Sequence, residues 1–147
     1  HNDDIIYTPA VTVFKTDTAL PRLMTENDWF DVDVITCAAP NLRLRSTNRY
    51  NPADGDAVRV SDKDLLLLHE KKLRRMLDVA VMEGAETIIL GAFGCGAFCN
   101  NPEVVALANK NVIKDYLHAF KNIEYAVYCS PGDDRNYRIF ERVLRLV

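Results

Sequence analysis

Glutamine is absent from the 147 residues, tryptophan occurs once, and only three histidines and four cysteines are present. The absence of glutamine excludes any catalytic motif that is built on this residue. No two cysteines follow the C-x-x-C spacing, and the histidines supply no partner spacing, so no zinc site is predicted. We therefore expect no metal and no other cofactor.

Long hydrophobic runs are also missing. No apolar stretch approaches the roughly 20 residues that span a bilayer, and the first ten residues, HNDDIIYTPA, have neither the basic start nor the apolar centre of a signal peptide. We expect a cytoplasmic or nuclear protein without membrane association. The first residue is His1 rather than methionine, which indicates a processed or truncated chain.

What is present is the composition of an ordinary globular domain, with 48% apolar and 27% charged residues and a formal net charge of -3. This charge argues against general nucleic-acid binding. The length predicts one domain covering residues 1–147, in which residues 1–31 form an extended N-terminal wrapping segment and residues 32–147 form an α/β core.

Strands and helices alternate along the predicted core. Apolar runs predict three strands, Val32 to Cys37, Thr87 to Leu90 and Ile123 to Cys129. Helix start signals predict three helices, after Ser61, after Asn101, and after Asp133 or Asp134. Repeated strand–helix units form right-handed crossovers, so this order predicts a mostly parallel sheet with helices on both faces.

The segment GAFGCGAF follows the second predicted strand and leads into a helix. Glycines at positions 91, 94 and 96 allow the backbone to approach a ligand closely, so the N–H groups from about Phe93 to Phe98 can surround an anion. The N-terminus of the following helix adds a favourable dipole. Ligands of parallel sheets bind beyond the carboxyl ends of the strands, where this loop lies.

Two familiar phosphate loops do not fit the segment. No lysine follows the glycines, which excludes a Walker loop, and their order differs from G-x-G-x-x-G. A purely structural turn remains an alternative. The length of the loop and the two phenylalanines that it would expose, Phe93 and Phe98, favour a ligand-binding role, because exposed rings usually pack on something.

Four segments form a recognisable set, IYTPAVTVFKTD, VITCAAPN, AVMEGAETIILGAFGCGAFCNNPEVVA and IEYAVYCSPGDDRNYRIF. Together they resemble the C-terminal part of the microbial-type poly(ADP-ribose) glycohydrolases, which are built on a macrodomain. The resemblance implies a macrodomain-like three-layer α/β/α fold with a mostly parallel central sheet, of which this chain holds an incomplete portion. It also implies ADP-ribose or poly(ADP-ribose) as ligand.

The expected ligand contacts follow from the loop and from the resemblance. By the resemblance, the diphosphate is faced by Gly94, Cys95, Gly96 and Ala97, and the distal ribose by Phe98. The loop argument adds Gly91 and Phe93, and Asn41 lies at the same edge of the predicted sheet. In the macrodomain pattern, Asn136 and Phe140 are neighbours of the adenine.

The catalytic signature of this family, a glycine triplet followed by a Gln-Glu-Glu cluster, occurs nowhere in the chain. Glycoside cleavage needs a carboxylic acid for the leaving oxygen and a base for the incoming water. We therefore expect no catalytic residue and no turnover here, with the missing upstream half of the same protein as the completing partner. A non-catalytic ADP-ribose reader and a structural α/β module remain alternatives.

Arg43, Arg45 and Arg49 follow the first predicted strand. These arginines are placed to reach a phosphate or a polyanionic chain, while solvated loop charges are the more common alternative.

Overall fold

The computed structural model describes residues 4–43 and 59–145. It is a mixed α/β structure, as the sequence predicts. The chain divides into two compact units, His1–Ala38 and Ala39–Val147. Among the helices of the described ranges, none has both the length and the apolar character that crossing a bilayer demands.

The N-terminal unit is an antiparallel strand pair. Strand β1 (Ile5–Val13) pairs with β2 (Phe30–Cys37), and a register shift falls between Thr8 and Val11. The first 31 residues, expected to be extended wrapping, therefore contain a nine-residue strand. The predicted strand at Val32 to Cys37 exists, and its partner within the described residues is the antiparallel strand β1.

Asp33 supports the irregularity in this strand pair. Its carboxylate accepts hydrogen bonds from the Tyr7 hydroxyl at 2.6 Å and from the Ala10 backbone N–H at 2.9 Å. Ala10 has a positive φ of 53°, which is uncommon for a residue other than glycine. Both hydrogen bonds lower the pKa of Asp33, and the one from the Tyr7 hydroxyl has the larger effect. An acidic side chain thus fixes the bulge of β1.

The C-terminal unit begins with helix α1 (Asp62–Met82). Ser61 caps it as predicted, because its hydroxyl accepts a hydrogen bond from the Asp64 N–H at 3.1 Å. The helix buries one side, which consists of Leu65, His69, Lys72, Leu73, Leu77 and Ala80.

A β-α-β unit follows. Strand β3 (Thr87–Leu90) pairs in parallel with β4 (Asn122–Tyr125), and α2 (Pro102–Ile113) lies between them in sequence. Pro102 begins α2 as predicted, and the Asn101 side chain caps it by accepting a hydrogen bond from the Glu103 N–H. Strand β4 ends at Tyr125, four residues before the predicted end at Cys129.

Helix α3 (Arg135–Leu144) closes the described chain. Its N-cap is Asp134, and the Asp133 carboxylate accepts from the Arg135 N–H at 3.1 Å. The core lies around α2, which packs against both α1 and α3. The residues of the core with 0% exposure are Leu77, Val105, Ala106, Ala108 and Val112.

Within the described residues, the β3–β4 pair is buried on one face and exposed on the other. Ile88 is 9% exposed, whereas the neighbouring Ile89 is 65% exposed. Parallel strands are normally buried on both faces, and the apolar stretch TIIL predicts this. The second cover is therefore not supplied by the described part of this chain.

Candidate functional site

The glycine loop runs from Gly91 to Asn101 and connects β3 to α2. The strand ladder continues one step past β4, because the Ala126 N–H donates to the Leu90 carbonyl at 2.8 Å. A side chain at Gly91 would meet the Ala126 carbonyl oxygen at 3.2 Å. The loop therefore leaves the carboxyl end of β3 directly, which is the edge of the sheet expected for a ligand.

Hydrogen bonds within the loop use only some of its N–H groups. The Phe93 N–H donates to the Gly91 carbonyl at 2.8 Å, and the Cys95 N–H donates to the Ala92 carbonyl at 3.0 Å. Within the segment from Phe93 to Phe98, the N–H groups with no hydrogen bond to any described residue are those of Gly94, Gly96, Ala97 and Phe98. Four donors of one short loop thus remain available for a ligand.

Gly94 and Gly96 occupy different environments. Gly94 has a φ of +79°, and a Cβ at this position would lie 2.7 Å from the Ala39 Cβ and 2.8 Å from the Asn100 Nδ2. Gly96 is exposed, and a Cβ there would meet no atom within 4 Å. Gly94 therefore serves the close packing of the loop, while Gly96 borders open space.

Asn100 holds the loop together from within. This residue is 2% exposed, and its Nδ2 donates to the carbonyl oxygens of Pro40 at 2.7 Å, Gly94 at 3.0 Å and Phe98 at 3.2 Å. Its Oδ1 lies 2.9 Å from the His69 Nε2. With its two hydrogens, one of them shared, this amide contacts three backbone carbonyls and joins the loop to α1.

The tautomer of His69 follows from these contacts. Because the amide nitrogen of Asn100 faces carbonyls, its Oδ1 is the acceptor, and the His69 Nε2 carries the donated proton. Burial lowers the pKa of His69; the Asn100 hydrogen bond opposes this effect and the charge of Lys72 adds to it. The folded chain thus favours the neutral ring of His69. Because protonation of this ring is easier in the unfolded chain, the free energy of unfolding decreases as the pH falls below the ordinary pKa of 6.5.

The two phenylalanines of the loop are both half-buried. The Phe93 ring makes an edge contact with His69, at 5.9 Å between ring centroids. The Phe98 ring lies under the Arg43 guanidinium, with 5.9 Å from Cζ to the ring centroid. Phe93 therefore contacts α1, while Phe98 contacts the segment that leads away from Ala39.

That segment also carries Asn41, which is exposed and whose side-chain oxygen accepts from the Arg43 N–H at 3.3 Å. The Leu42 N–H donates to the Phe98 carbonyl at 3.0 Å. Residues 40–43 are therefore attached to the glycine loop. Arg45 and Arg49, predicted as further phosphate contacts, lie outside the described residues.

Cys95 turns its side chain away from solvent. Ala92 and Cys95 pack against the core cluster that contains Val105 and Phe140. Burial raises the pKa of the Cys95 thiol to about 12, which favours the protonated thiol at neutral pH. Ala97 is exposed on the outer part of the loop.

The two expected adenine neighbours lie on α3. Asn136 is half-buried in its first turn, and Phe140 is 2% exposed in the core, 6.2 Å from the Tyr125 ring. Phe140 also borders a groove of about 300 Å³ that Tyr137 and Glu141 line.

Asn100 and His69 are the site residues that the sequence did not reveal. The sequence NNP before α2 does point to Asn100. Only one of the two asparagines can cap the helix, so the other has a different role. Their contact joins residues 31 positions apart, which local patterns do not show.

The mixed α/β fold, with its glycine-rich loop at the end of a parallel strand, is macrodomain-like, and the chain is structurally similar to microbial poly(ADP-ribose) glycohydrolases. One such structure is the glycohydrolase of Deinococcus radiodurans in complex with ADP-ribose, with a TM-score of 0.79 and 27% identity over 98% of this chain. Another is the glycohydrolase of Thermomonospora curvata, with a TM-score of 0.75 and 27% identity over 95% of this chain.

The match covers 53% of the Deinococcus chain and 46% of the Thermomonospora chain, so this chain spans about half the length of these proteins. No protein-family model and no curated protein sequence matches it. The similarity to the glycohydrolases is therefore found by comparing structures, and the sequence identity to these solved structures is 26–28%.

Proposed function

We propose that this chain supplies the diphosphate-binding loop of an ADP-ribose-binding macrodomain of the poly(ADP-ribose) glycohydrolase type. The observation that carries the proposal is the set of four N–H groups without a described partner, at Gly94, Gly96, Ala97 and Phe98. The structural similarity to a glycohydrolase crystallised with ADP-ribose supports the same ligand. In this proposal Gly91, Phe93, Cys95 and Asn41 shape the site around these donors.

The strength of binding follows from the donors. Four charge-assisted hydrogen bonds contribute about 6 to 12 kcal/mol in sum, against an association cost of about 4 kcal/mol or more. The difference is at most about 8 kcal/mol, which corresponds to a micromolar dissociation constant, and it falls to about 4 kcal/mol, a millimolar constant, when the association cost is about 8 kcal/mol. We therefore expect the isolated chain to bind ADP-ribose weakly, between micromolar and millimolar.

The activity of the whole protein is proposed to need the part that this chain lacks. Hydrolysis requires an acid and a base at the glycosidic bond, and the Gln-Glu-Glu cluster of the family is absent from the sequence. The exposed Ile89 face of the β3–β4 pair marks a surface that the remaining half would cover. This chain alone is therefore proposed to bind ligand without turning it over.

Replacing Gly96 with glutamate tests the anion site. The residue is exposed with open space around it, so the fold tolerates the side chain while a carboxylate enters the place of the phosphates. We expect Gly96→Glu to weaken ADP-ribose binding at least tenfold, as like-charge repulsion replaces attraction. Isothermal titration calorimetry at millimolar ligand measures this change.

Gly96→Ala is the matched control, since it adds a Cβ without charge at the same position. It should retain affinity within about threefold, because this change corresponds to less than 1 kcal/mol. If Gly96→Glu binds ADP-ribose as well as Gly96→Ala does, the anion does not lie at this loop.

A further inference from the structure

We propose that Arg43 is an additional anion-binding residue of the glycine loop, which pairs its guanidinium with the phosphates held by the loop N–H groups. This inference rests on the proposed function, since it assigns a further contact within the same site. An arginine at this position favours one class of ligand, the diphosphate esters, which carry a negative charge on each of two linked phosphates.

The backbone places Arg43 beside the loop. The Leu42 N–H donates to the Phe98 carbonyl at 3.0 Å, and the Pro40 carbonyl accepts from Asn100 at 2.7 Å. The guanidinium carbon then lies 5.9 Å from the centroid of the Phe98 ring. Phe98 is itself one of the four residues whose N–H has no described partner. The cation therefore lies beside the side chain of one of the four donor residues.

The charge of Arg43 is not neutralised within the described residues, where no carboxylate pairs with it. Its Nε is buried and has no hydrogen-bond partner there. Since this nitrogen is closed to solvent, a ligand can reach only the terminal nitrogens of the guanidinium. The unpaired positive charge beside the loop therefore favours a negatively charged ligand.

A diphosphate diester fits this donor set by charge. It carries two negative charges, whereas the N-terminus of α2 contributes only about half a positive charge. Arg43 adds a full positive charge, and its planar group matches the oxygens of phosphate better than an ammonium does. A neutral sugar would leave the guanidinium without an acceptor.

Arg43→Gln in the full 147-residue chain tests the assignment, because glutamine keeps a planar polar group and removes the charge. We expect it to weaken ADP-ribose binding about tenfold, since a hydrogen bond between charged groups is worth at least one decade in affinity. The dependence of affinity on salt concentration should also become shallower. Arg43→Lys, which keeps the charge, should bind with intermediate affinity and keep the wild-type salt dependence.

Arg75→Gln is the matched control, since Arg75 is exposed on α1, and it should leave affinity and salt dependence unchanged. NMR titrations with ADP-ribose at two salt concentrations measure all four proteins at millimolar affinity.

If Arg43→Gln binds like the wild type with the same salt dependence, the assignment of Arg43 is wrong and the proposed function stands. If Arg43→Gln and Arg43→Lys weaken binding equally and independently of salt, Arg43 only supports Phe98. If the wild-type chain shows no binding, the proposed function fails and the assignment fails with it.

Discussion

Gly94→Ala is expected to destabilise the chain by about 2–5 kcal/mol. Two physical effects add. The residue has a φ of +79°, and a side chain in the left-handed region costs about 1–2 kcal/mol. The new Cβ would also lie 2.7 Å from the Ala39 Cβ and 2.8 Å from the Asn100 Nδ2, and such overpacking costs about 1–3 kcal/mol. Urea denaturation followed by circular dichroism measures the change in the free energy of unfolding.

Gly96→Ala provides the internal comparison two residues away. Gly96 has no positive φ and no atom within 4 Å of its Cβ position, so its free energy of unfolding should change by less than about 1 kcal/mol. Equal denaturation midpoints for the Gly94 and Gly96 variants would contradict the packing of Gly94 against Asn100.

Asn100→Ala is expected to destabilise the chain by about 3–5 kcal/mol, because it removes several hydrogen bonds from buried or partly buried polar groups. The carbonyl groups of Pro40 and Gly94 and the Nε2 of His69 each lose a hydrogen bond of 3.0 Å or less. The loop should also lose its shape, so ADP-ribose binding should fall below detection. Chemical denaturation and ligand titration measure the two effects.

Asn111→Ala is the control for loss of an asparagine. Asn111 is exposed on α2 and makes one hydrogen bond, to Glu70 at 2.7 Å, so its removal should cost less than about 1 kcal/mol. If both asparagine variants unfold at the same denaturant concentration, Asn100 does not hold the loop together.

Local signals predicted the helices well. Ser61 and Asn101 cap α1 and α2 as expected, because capping depends on residues within one turn of the helix start. The partner of a strand is not a local property. The apolar run at Val32 correctly predicted a strand, but its antiparallel pairing with residues 5–13 depends on a distant segment whose alternation is interrupted by the register shift.

The position of the candidate site could also be predicted from local sequence, since the glycines lie between a strand and a helix that both formed as predicted. The hydrogen bonds that support the loop from within could not be predicted in this way. The Asn100 contacts with Pro40 and His69 span 60 and 31 residues, and the sequence does not encode such side-chain contacts in any short pattern. For the same reason the sequence did not reveal the hydrogen bond between His69 and Asn100.

The most direct measurement of the central claim is an amide NMR titration of the ¹⁵N-labelled chain with ADP-ribose. Hydrogen bonding to an anion shifts an amide proton downfield, so the largest downfield shifts should fall on Gly94, Gly96, Ala97 and Phe98. The N–H groups of Phe93 and Cys95 should shift less, because they already donate to carbonyl groups of the loop. Unchanged resonances of the four amides at saturating ligand, or shifts confined to other parts of the chain, would contradict the claim that this loop binds the diphosphate.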